Sequence, residues 1–239
     1  MPSTTPTVLR ASLAQRTLDP IYLIVGDDET EMQRLASEIA TVVEDELRAF
    51  NVERLYGGDK GVTAASIVES CRLLPMMSDR RVVIVLRGER LLKPKRRGRA
   101  AEQADNEEAA EPPSDLDLLD EYLKRPEPST TLVIVASDVD RTRRIGKTLY
   151  KSATLVECWG LKPGRDARFI DFRQIGRVAD QLVRKAVSEA GQHIDPAASR
   201  LVAERAGTDI GRLRGDIERL LLFASGQARI TLADVQEVV

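Results

Sequence analysis

Residues 21–35 read IYLIVGDDETEMQRL, and this stretch decides the fold class of the chain. The five apolar residues from Ile21 to Val25 form a short, largely β-branched run, which is typical of a strand buried on both faces. A turn at residues 26–28 ends the run. Apolar residues then recur at helical spacing: Met32, Leu35, Ala36, Ile39, Val43 and Leu47. The order strand, glycine turn, helix is where α/β nucleotide-binding proteins keep their phosphate loop.

The turn itself lacks the residues that bind phosphate. A phosphate loop reads GxxxxGK[ST], in which backbone N–H groups surround the phosphates and the lysine neutralises them. Here Gly26 is followed by carboxylates at Asp27, Asp28, Glu29 and Glu31, with no lysine. These carboxylates repel a triphosphate, so we expect the scaffold of an ATPase with a degenerate phosphate loop and no cofactor.

Metal binding is the alternative interpretation of Asp27, Asp28 and Glu29. We favour a structural role, because acidic side chains suit the N-terminus of a helix through its dipole. The single histidine, His193, excludes a multi-histidine metal site, and the two cysteines lack metal-ligand spacing. The sequence therefore predicts no bound metal, and two cysteines that stand far apart in the chain suit a reducing cytosol.

The bulk composition is typical of a globular protein without a bias toward nucleic acid. The chain has 239 residues, 42% hydrophobic and 31% charged, and a net charge of −2. Aromatic residues make up 4%, which argues against stacking platforms for single-stranded nucleic acid. We find no apolar run of membrane-spanning length and no signal-peptide core, and we expect a cytoplasmic protein.

Strand candidates alternate with helical segments through the first two thirds of the chain. After the first strand they lie at residues 50–56, 81–86, 132–136 and 154–158. A helix with Ile67, Cys71 and Leu74 on its buried face precedes the third strand and ends at Pro75. Alternating strands and helices predict a three-layer α/β/α domain with a parallel five-stranded sheet. Residues 1–19 are expected to form an irregular lead-in with a short helix.

Two other regions interrupt or follow this pattern. Residues 93–115 carry a basic block and then an acidic block without apolar periodicity, which predicts a disordered insert. The alternative is that the basic block contacts DNA phosphates. After residue 164 we predict only amphipathic helices and no strand. The sequence thus predicts an α/β domain at residues 1–163 and a small helical domain at residues 164–239.

Local signals place the helices of that second domain. One stripe is formed by the apolar residues Val178, Leu182, Ala186 and Ala190. Asp195 followed by Pro196 predicts the start of the next helix, and a third stripe surrounds Leu213 and Ile217. Residues 231–234 resemble a capping box that opens a fourth helix.

Four segments together resemble the delta subunit of the bacterial DNA polymerase III clamp loader. They are YLIVGDDETEMQRL at residues 22–35, LLPMMSDRRVVIVL at 73–86, LLDEYLKRPEPSTTLVIVASDVDRTRRIGKTL at 118–149, and RLVAERAGTDIGRLRGDIERLLLFA at 200–224. The resemblance implies an AAA+-like module without an ATPase site, followed by a helical lid domain. The family also has a helical collar domain, which we expect to be absent from this sequence.

The same resemblance implies a site and partners. Delta subunits bind the sliding clamp (beta) through the end of a helix and the turn after it, which correspond here to Leu73, Leu74, Met76 and Met77. Two adjacent bulky residues plug a groove on the clamp, and the methionines occupy those places. The alternative is that Met76 or Met77 belongs to the core. Other implied partners are the gamma/tau and delta prime subunits and, through the assembled complex, primed DNA.

Two functions therefore remain. The first is a subunit without catalytic activity of its own that opens the clamp ring during DNA replication, with ATP hydrolysis left to its partners. The alternative is a degenerate AAA+ ATPase or DNA-binding regulator that still binds nucleotide. Arg212 and Arg214 lie where active AAA+ proteins keep an arginine that senses the γ-phosphate. Without a phosphate loop, we expect these arginines to form salt bridges or to contact DNA.

Overall fold

A computed structural model describes residues 3–92, 115–162, 164 and 171–239. By its contacts the chain divides into two units. The first comprises Met1–Gly26 and Glu31–Cys158, and the second comprises Asp27–Thr30 and Trp159–Val239. The predicted insert at residues 93–115 falls outside the described residues, except for Asp115, which begins a helix. The predicted domain boundary at residue 163 stays a prediction.

The first unit is built on a parallel six-stranded sheet with the order β1-β6-β2-β5-β4-β3. Its strands are β1 (Ser3–Thr4), β2 (Ile21–Gly26), β3 (Val52–Tyr56), β4 (Arg81–Leu86), β5 (Thr130–Ala136) and β6 (Thr154–Cys158). In the central register Leu23 lies opposite Ile134 on one side and Leu155 on the other. Strands β2, β4 and β5 are buried along their whole length, as their continuous apolar runs predict.

Helices cover both faces of this sheet, which confirms the predicted α/β/α class. They are α1 (Pro6–Ala14), α2 (Glu29–Ala40), α3 (Arg48–Asn51), α4 (Ala64–Arg72), α5 (Gly88–Leu91), α6 (Asp115–Lys124) and α7 (Arg144–Ser152). Leu9 of α1 and Leu35 and Ile39 of α2 pack with Ile24 and Ile84 in the core of one face. Helix α6 contacts both α4 and α7, and α4 and α7 contact the sheet.

Three predicted details of this unit need correction. In the described residues the sheet has six strands rather than the predicted five, since β1 pairs with β6. Strand β1 was missed because it consists of two polar residues, which is too short to show an alternating pattern. Helix α2 ends at Ala40, before the apolar pattern does, and Val43 is buried from the segment that follows. Phe50 and Asn51 belong to the helical turn α3 rather than to strand β3.

The second unit consists mainly of helices α8 (Phe172–Glu189), α9 (Pro196–Ala206), α10 (Ile210–Phe223) and α11 (Leu232–Val238). The prediction of no further strand is wrong: β7 (His193–Ile194) and β8 (Arg229–Ile230) pair in parallel. Each is two residues long, so neither shows an alternating pattern. The capping box at the start of α11 is confirmed, with Thr231 and Asp234 satisfying each other's backbone N–H groups.

The buried stripe of α8 differs from the predicted one. Its buried residues are Ile175, Ala179, Val183 and Val187, whereas Val178, Leu182 and Ala186 are only partly buried at the edge of the core. Both sets recur at helical spacing, so the period alone does not distinguish them. None of the helices in the described residues is long and apolar enough to cross a membrane.

Candidate functional site

Helix α4 leads directly into the predicted binding residues. The helix begins with a capping box in which Thr63 and Ser66 satisfy each other's backbone N–H groups. Its buried face carries Ile67, Val68 and Cys71. Arg72 is the last helical residue, and Leu73 already has extended backbone angles (φ −67°, ψ 134°). Helix α4 therefore ends before Pro75, and its buried face ends at the same point.

The residues that follow form an exposed apolar turn, defined here as residues 73–77. Leu73 is 56% exposed, Leu74 79%, Met76 57% and Met77 90%. The prediction that Leu74 continues the buried stripe of α4 is wrong, because the helix ends two residues earlier and the helical period no longer applies. The structure thus brings all four predicted site residues to the surface, and no core role is left for either methionine.

A buried asparagine in α3 forms hydrogen bonds to this turn. Asn51, the last residue of α3, is fully buried, and its side-chain oxygen accepts a hydrogen bond of 2.7 Å from the Met76 N–H. Its amide nitrogen donates to the Met76 carbonyl at 2.8 Å and to the Leu47 carbonyl at 3.0 Å. Met77 follows in the left-handed region with φ 53°, a conformation that residues with a side chain rarely adopt. The turn is therefore held by a contact across 25 positions of sequence.

A buried arginine ties together the elements around the turn. Arg81 donates to the Ser70 carbonyl of α4 and to the Phe50 carbonyl of α3, both at 2.9 Å. Its third contact is an ion pair of 2.5 Å with Glu53 of β3. Sequence reasoning missed Asn51 and Arg81, because their partners are distant in sequence. It also missed Phe50, which lies beside Asn51 and is 56% exposed.

Cys71 supports the helix rather than offering a reactive group. It is fully buried, and burial raises the pKa of its thiol to about 12. The thiol is therefore protonated at neutral pH and behaves as a small apolar side chain. Neither Cys71 nor Cys158 forms a disulfide, and both side chains are buried.

Gly26, at the degenerate phosphate loop, is required by packing. Its φ is 155°, and a Cβ added there would lie 2.0 Å from the Cys158 carbonyl oxygen. Because β2 and β6 pair in register at this point, with Gly26 opposite Cys158, only a residue without a side chain fits. The close approach of the two strands therefore accounts for this glycine without any phosphate.

Asp27 and Asp28, the first two carboxylates after Gly26, are bound by basic side chains of the second unit, to which Asp27–Thr30 itself belongs. Arg214 of α10 donates two hydrogen bonds to Asp28, at 2.8 and 2.6 Å, and Asp28 is only 5% exposed. Lys162 pairs with Asp27 at 2.7 Å. The expected salt bridge of Arg214 is confirmed, and Arg212 lies 3.7 Å from the buried Asp216. Among the described residues, no group of three or more acidic, histidine or cysteine side chains could hold a metal ion.

The fold resembles solved structures of P-loop and AAA+ proteins. The chain matches the DNA clamp loader delta protein of Bacillus subtilis with a TM-score of 0.58 and 20% identity, over 98% of this chain and 62% of that one. It matches the RuvB Holliday junction branch migration motor of Thermotoga maritima with a TM-score of 0.57 and 16% identity, over 98% and 65%. This chain therefore spans less than two thirds of the length of these structures. A comparison with curated proteins gives no match.

The module thus has the architecture of an AAA+ protein, with acidic residues in place of the phosphate-binding lysine. A family model for the delta subunit of DNA polymerase III matches residues 22–159. The chain belongs to this family, which confirms the resemblance found in the sequence.

Proposed function

We propose that this chain binds the sliding clamp of DNA polymerase III through its apolar turn and opens the clamp ring. The observation that carries the proposal is the exposure of four large apolar side chains in the turn after α4, on a member of the delta family. Exposed apolar side chains that adjoin one another are typical of a surface that binds another protein. Methionine suits such a contact, because its flexible side chain adapts to a hydrophobic groove.

The mechanism we propose is differential binding. If the turn fits the clamp better when the adjacent ring interface is open, binding shifts the population of rings toward the open state. The shift cannot exceed the difference in affinity for the two states, so a strong apolar anchor is needed. No bond is made or broken in this step. The chain then has no catalytic activity of its own and serves as an accessory subunit of the polymerase complex.

The test of the proposal is direct binding of the purified chain to the clamp of the same bacterium. We expect a complex in size-exclusion chromatography and biolayer interferometry, with the same affinity whether or not ATP is present. Absence of a complex at about 100 µM clamp would refute the proposal. A dissociation constant of about 100 µM corresponds to a binding free energy of roughly −5.5 kcal/mol. A fluorophore pair across the ring interface tests opening separately. Binding without a change in energy transfer would refute the opening step alone.

We expect no useful affinity for ATP. Nothing in residues 26–33 can neutralise phosphates, and the Asp28 carboxylate is already bound by Arg214. A calorimetric titration with Mg–ATP should therefore show no saturable heat, with an ATPase subunit of the same loader as the positive control. A micromolar dissociation constant would contradict this prediction and would favour the degenerate-ATPase alternative.

The remaining parts of the proposal concern assembly. Residues 1–163 would act as the clamp-binding AAA+-like domain and residues 164–239 as a helical lid domain. Within a loader the chain would associate with the gamma/tau and delta prime subunits and reach primed DNA through the assembled complex. We place this activity in the bacterial cytoplasm.

A further inference from the structure

We propose that Asn51 is a positioning residue, which holds the apolar turn in the conformation that binds the clamp and does not itself contact the clamp. This inference rests on the proposed function. It assigns a role to a buried side chain outside the apolar turn.

The geometry of Asn51 singles out one residue of the turn. Both backbone polar groups of Met76 are bound by the same carboxamide, the N–H at 2.7 Å and the carbonyl at 2.8 Å. The second amide hydrogen of Asn51 goes to the Leu47 carbonyl, which ties the side chain to its own helical segment. A primary amide is the one neutral side-chain group of this size that offers two donors and an acceptor. Asn51 thus binds both the N–H and the carbonyl of Met76, as the backbone of a neighbouring strand would.

Such a support matters, because the large side chains of the turn lie mainly outside the core. Its four large side chains are exposed and bring no core packing of their own. Met77 adopts a left-handed conformation that is sparsely populated for a residue with a side chain. A free turn of this kind samples several conformations, and apparent affinity falls with the fraction that is competent to bind. Fixing the Met76 backbone raises that fraction.

Asn51 is itself held in place by the rest of the unit. The carbonyl of the preceding residue, Phe50, accepts a hydrogen bond from the buried Arg81, which also binds the Ser70 carbonyl of α4. The turn is thus held by its covalent links to α4 and β4 and by Asn51. The two hydrogen bonds from Asn51 act on the Met76 backbone directly, and they can be removed without touching any exposed side chain.

The first arm of the test uses the free protein and does not depend on the clamp. In Asn51→Ala we expect the Met76 amide to exchange with solvent at least about tenfold faster than in the wild type, while amides of β4 and β5 keep their protection. Asn51→Ser keeps one hydroxyl, which can accept from the Met76 N–H but cannot serve both carbonyls as well, so its exchange should be intermediate. If Asn51→Ala does not fold, Asn51→Ser carries the same measurement. An unchanged Met76 exchange rate would overturn the inference, whatever the clamp does.

The second arm measures clamp affinity in a double-mutant cycle with Met77→Ala. Asn51→Ala should weaken binding about tenfold on its own. In the Met77→Ala background it should weaken binding by clearly less, because the turn that Asn51 positions has already lost a contact with the clamp. Equal losses in both backgrounds would overturn the inference. Ile39→Val, a buried change in α2, is the matched control: it lowers the melting temperature and should leave affinity unchanged. If the wild type does not bind the clamp, the proposed function fails, and the exchange arm alone decides whether Asn51 holds the turn.

Discussion

Replacing both Met76 and Met77 by alanine is expected to abolish most of the affinity for the clamp while leaving the fold intact. The two side chains are 57% and 90% exposed in the free protein, so their truncation removes little buried surface. Exposed substitutions usually shift the free energy of unfolding by within about 0.5 kcal/mol. Central apolar anchors of an interface, in contrast, commonly contribute about 2 kcal/mol each, which is roughly thirtyfold per residue. The double variant should therefore bind roughly 1,000-fold more weakly.

Two other substitutions in the same chain serve as matched controls. Met32 lies in α2 and is 3% exposed, so Met32→Ala should lower the free energy of unfolding by about 2–5 kcal/mol and leave clamp affinity unchanged. Leu222 of α10 is 70% exposed and lies outside the apolar turn, so Leu222→Ala should change neither quantity. Interferometry and thermal melting on these variants separate loss of a contact from loss of structure. A double methionine variant that is destabilised, yet binds the clamp normally when folded, would refute the assignment of the turn.

The central strands β2, β4 and β5 were predictable because they are buried on both faces. Strands β4 and β6 have the predicted bounds, and β2 and β5 differ by one and two residues. A continuous apolar run between polar turns fixes such a strand locally, since any other placement would expose it. The two-residue strand β1 shows the limit of this reasoning. Its pairing with β6 depends on where the rest of the chain brings it.

The conformation of the apolar turn was predicted only in part, because a family resemblance locates residues but not the contacts that hold them. Leu73, Leu74, Met76 and Met77 lie at the surface, but Leu74 was expected on the buried stripe of α4. The helical spacing of apolar residues in the sequence extends to Leu74, although the helix itself ends at Arg72. The support from Asn51 was not visible at all, because a single asparagine carries no pattern and its partner lies 25 residues away.

The α8 stripe illustrates the same limit in another form. Sequence periodicity indicates that a helix has an apolar face, but two neighbouring rows of small and branched residues fit the period equally well. The row that includes Ala179 and Val183 became the buried one because α9 packs on it. Which of the two rows is buried therefore depends on tertiary packing and not on the sequence of the helix alone.

Replacing Arg81 by alanine should cause the largest loss of stability among the polar residues around the site. The side chain is 8% exposed and binds two backbone carbonyls and the Glu53 carboxylate. Its removal takes this donor from both carbonyls and leaves Glu53 with the hydrogen bond from the Ser70 hydroxyl. Breaking a buried ion pair from one side typically costs about 3–5 kcal/mol. Because Glu53 is 35% exposed and water can reach it, we expect the lower end, about 3 kcal/mol. For a unit of this size that corresponds to a drop of roughly 6–12 °C in Tm.

The matched control is Arg34→Ala, which removes another arginine–glutamate pair from the same unit. Arg34 is 67% exposed and lies 3.1 Å from Glu38, so its loss should shift stability by less than about 0.5 kcal/mol. A lysine at position 81 can keep the ion pair but cannot bind both carbonyls at once, so Arg81→Lys should lie between wild type and alanine. Since Arg81 holds the Phe50 carbonyl next to Asn51, Arg81→Ala should also speed exchange of the Met76 amide. An Arg81→Ala melting curve that matches that of Arg34→Ala would show that these buried contacts contribute nothing to the fold.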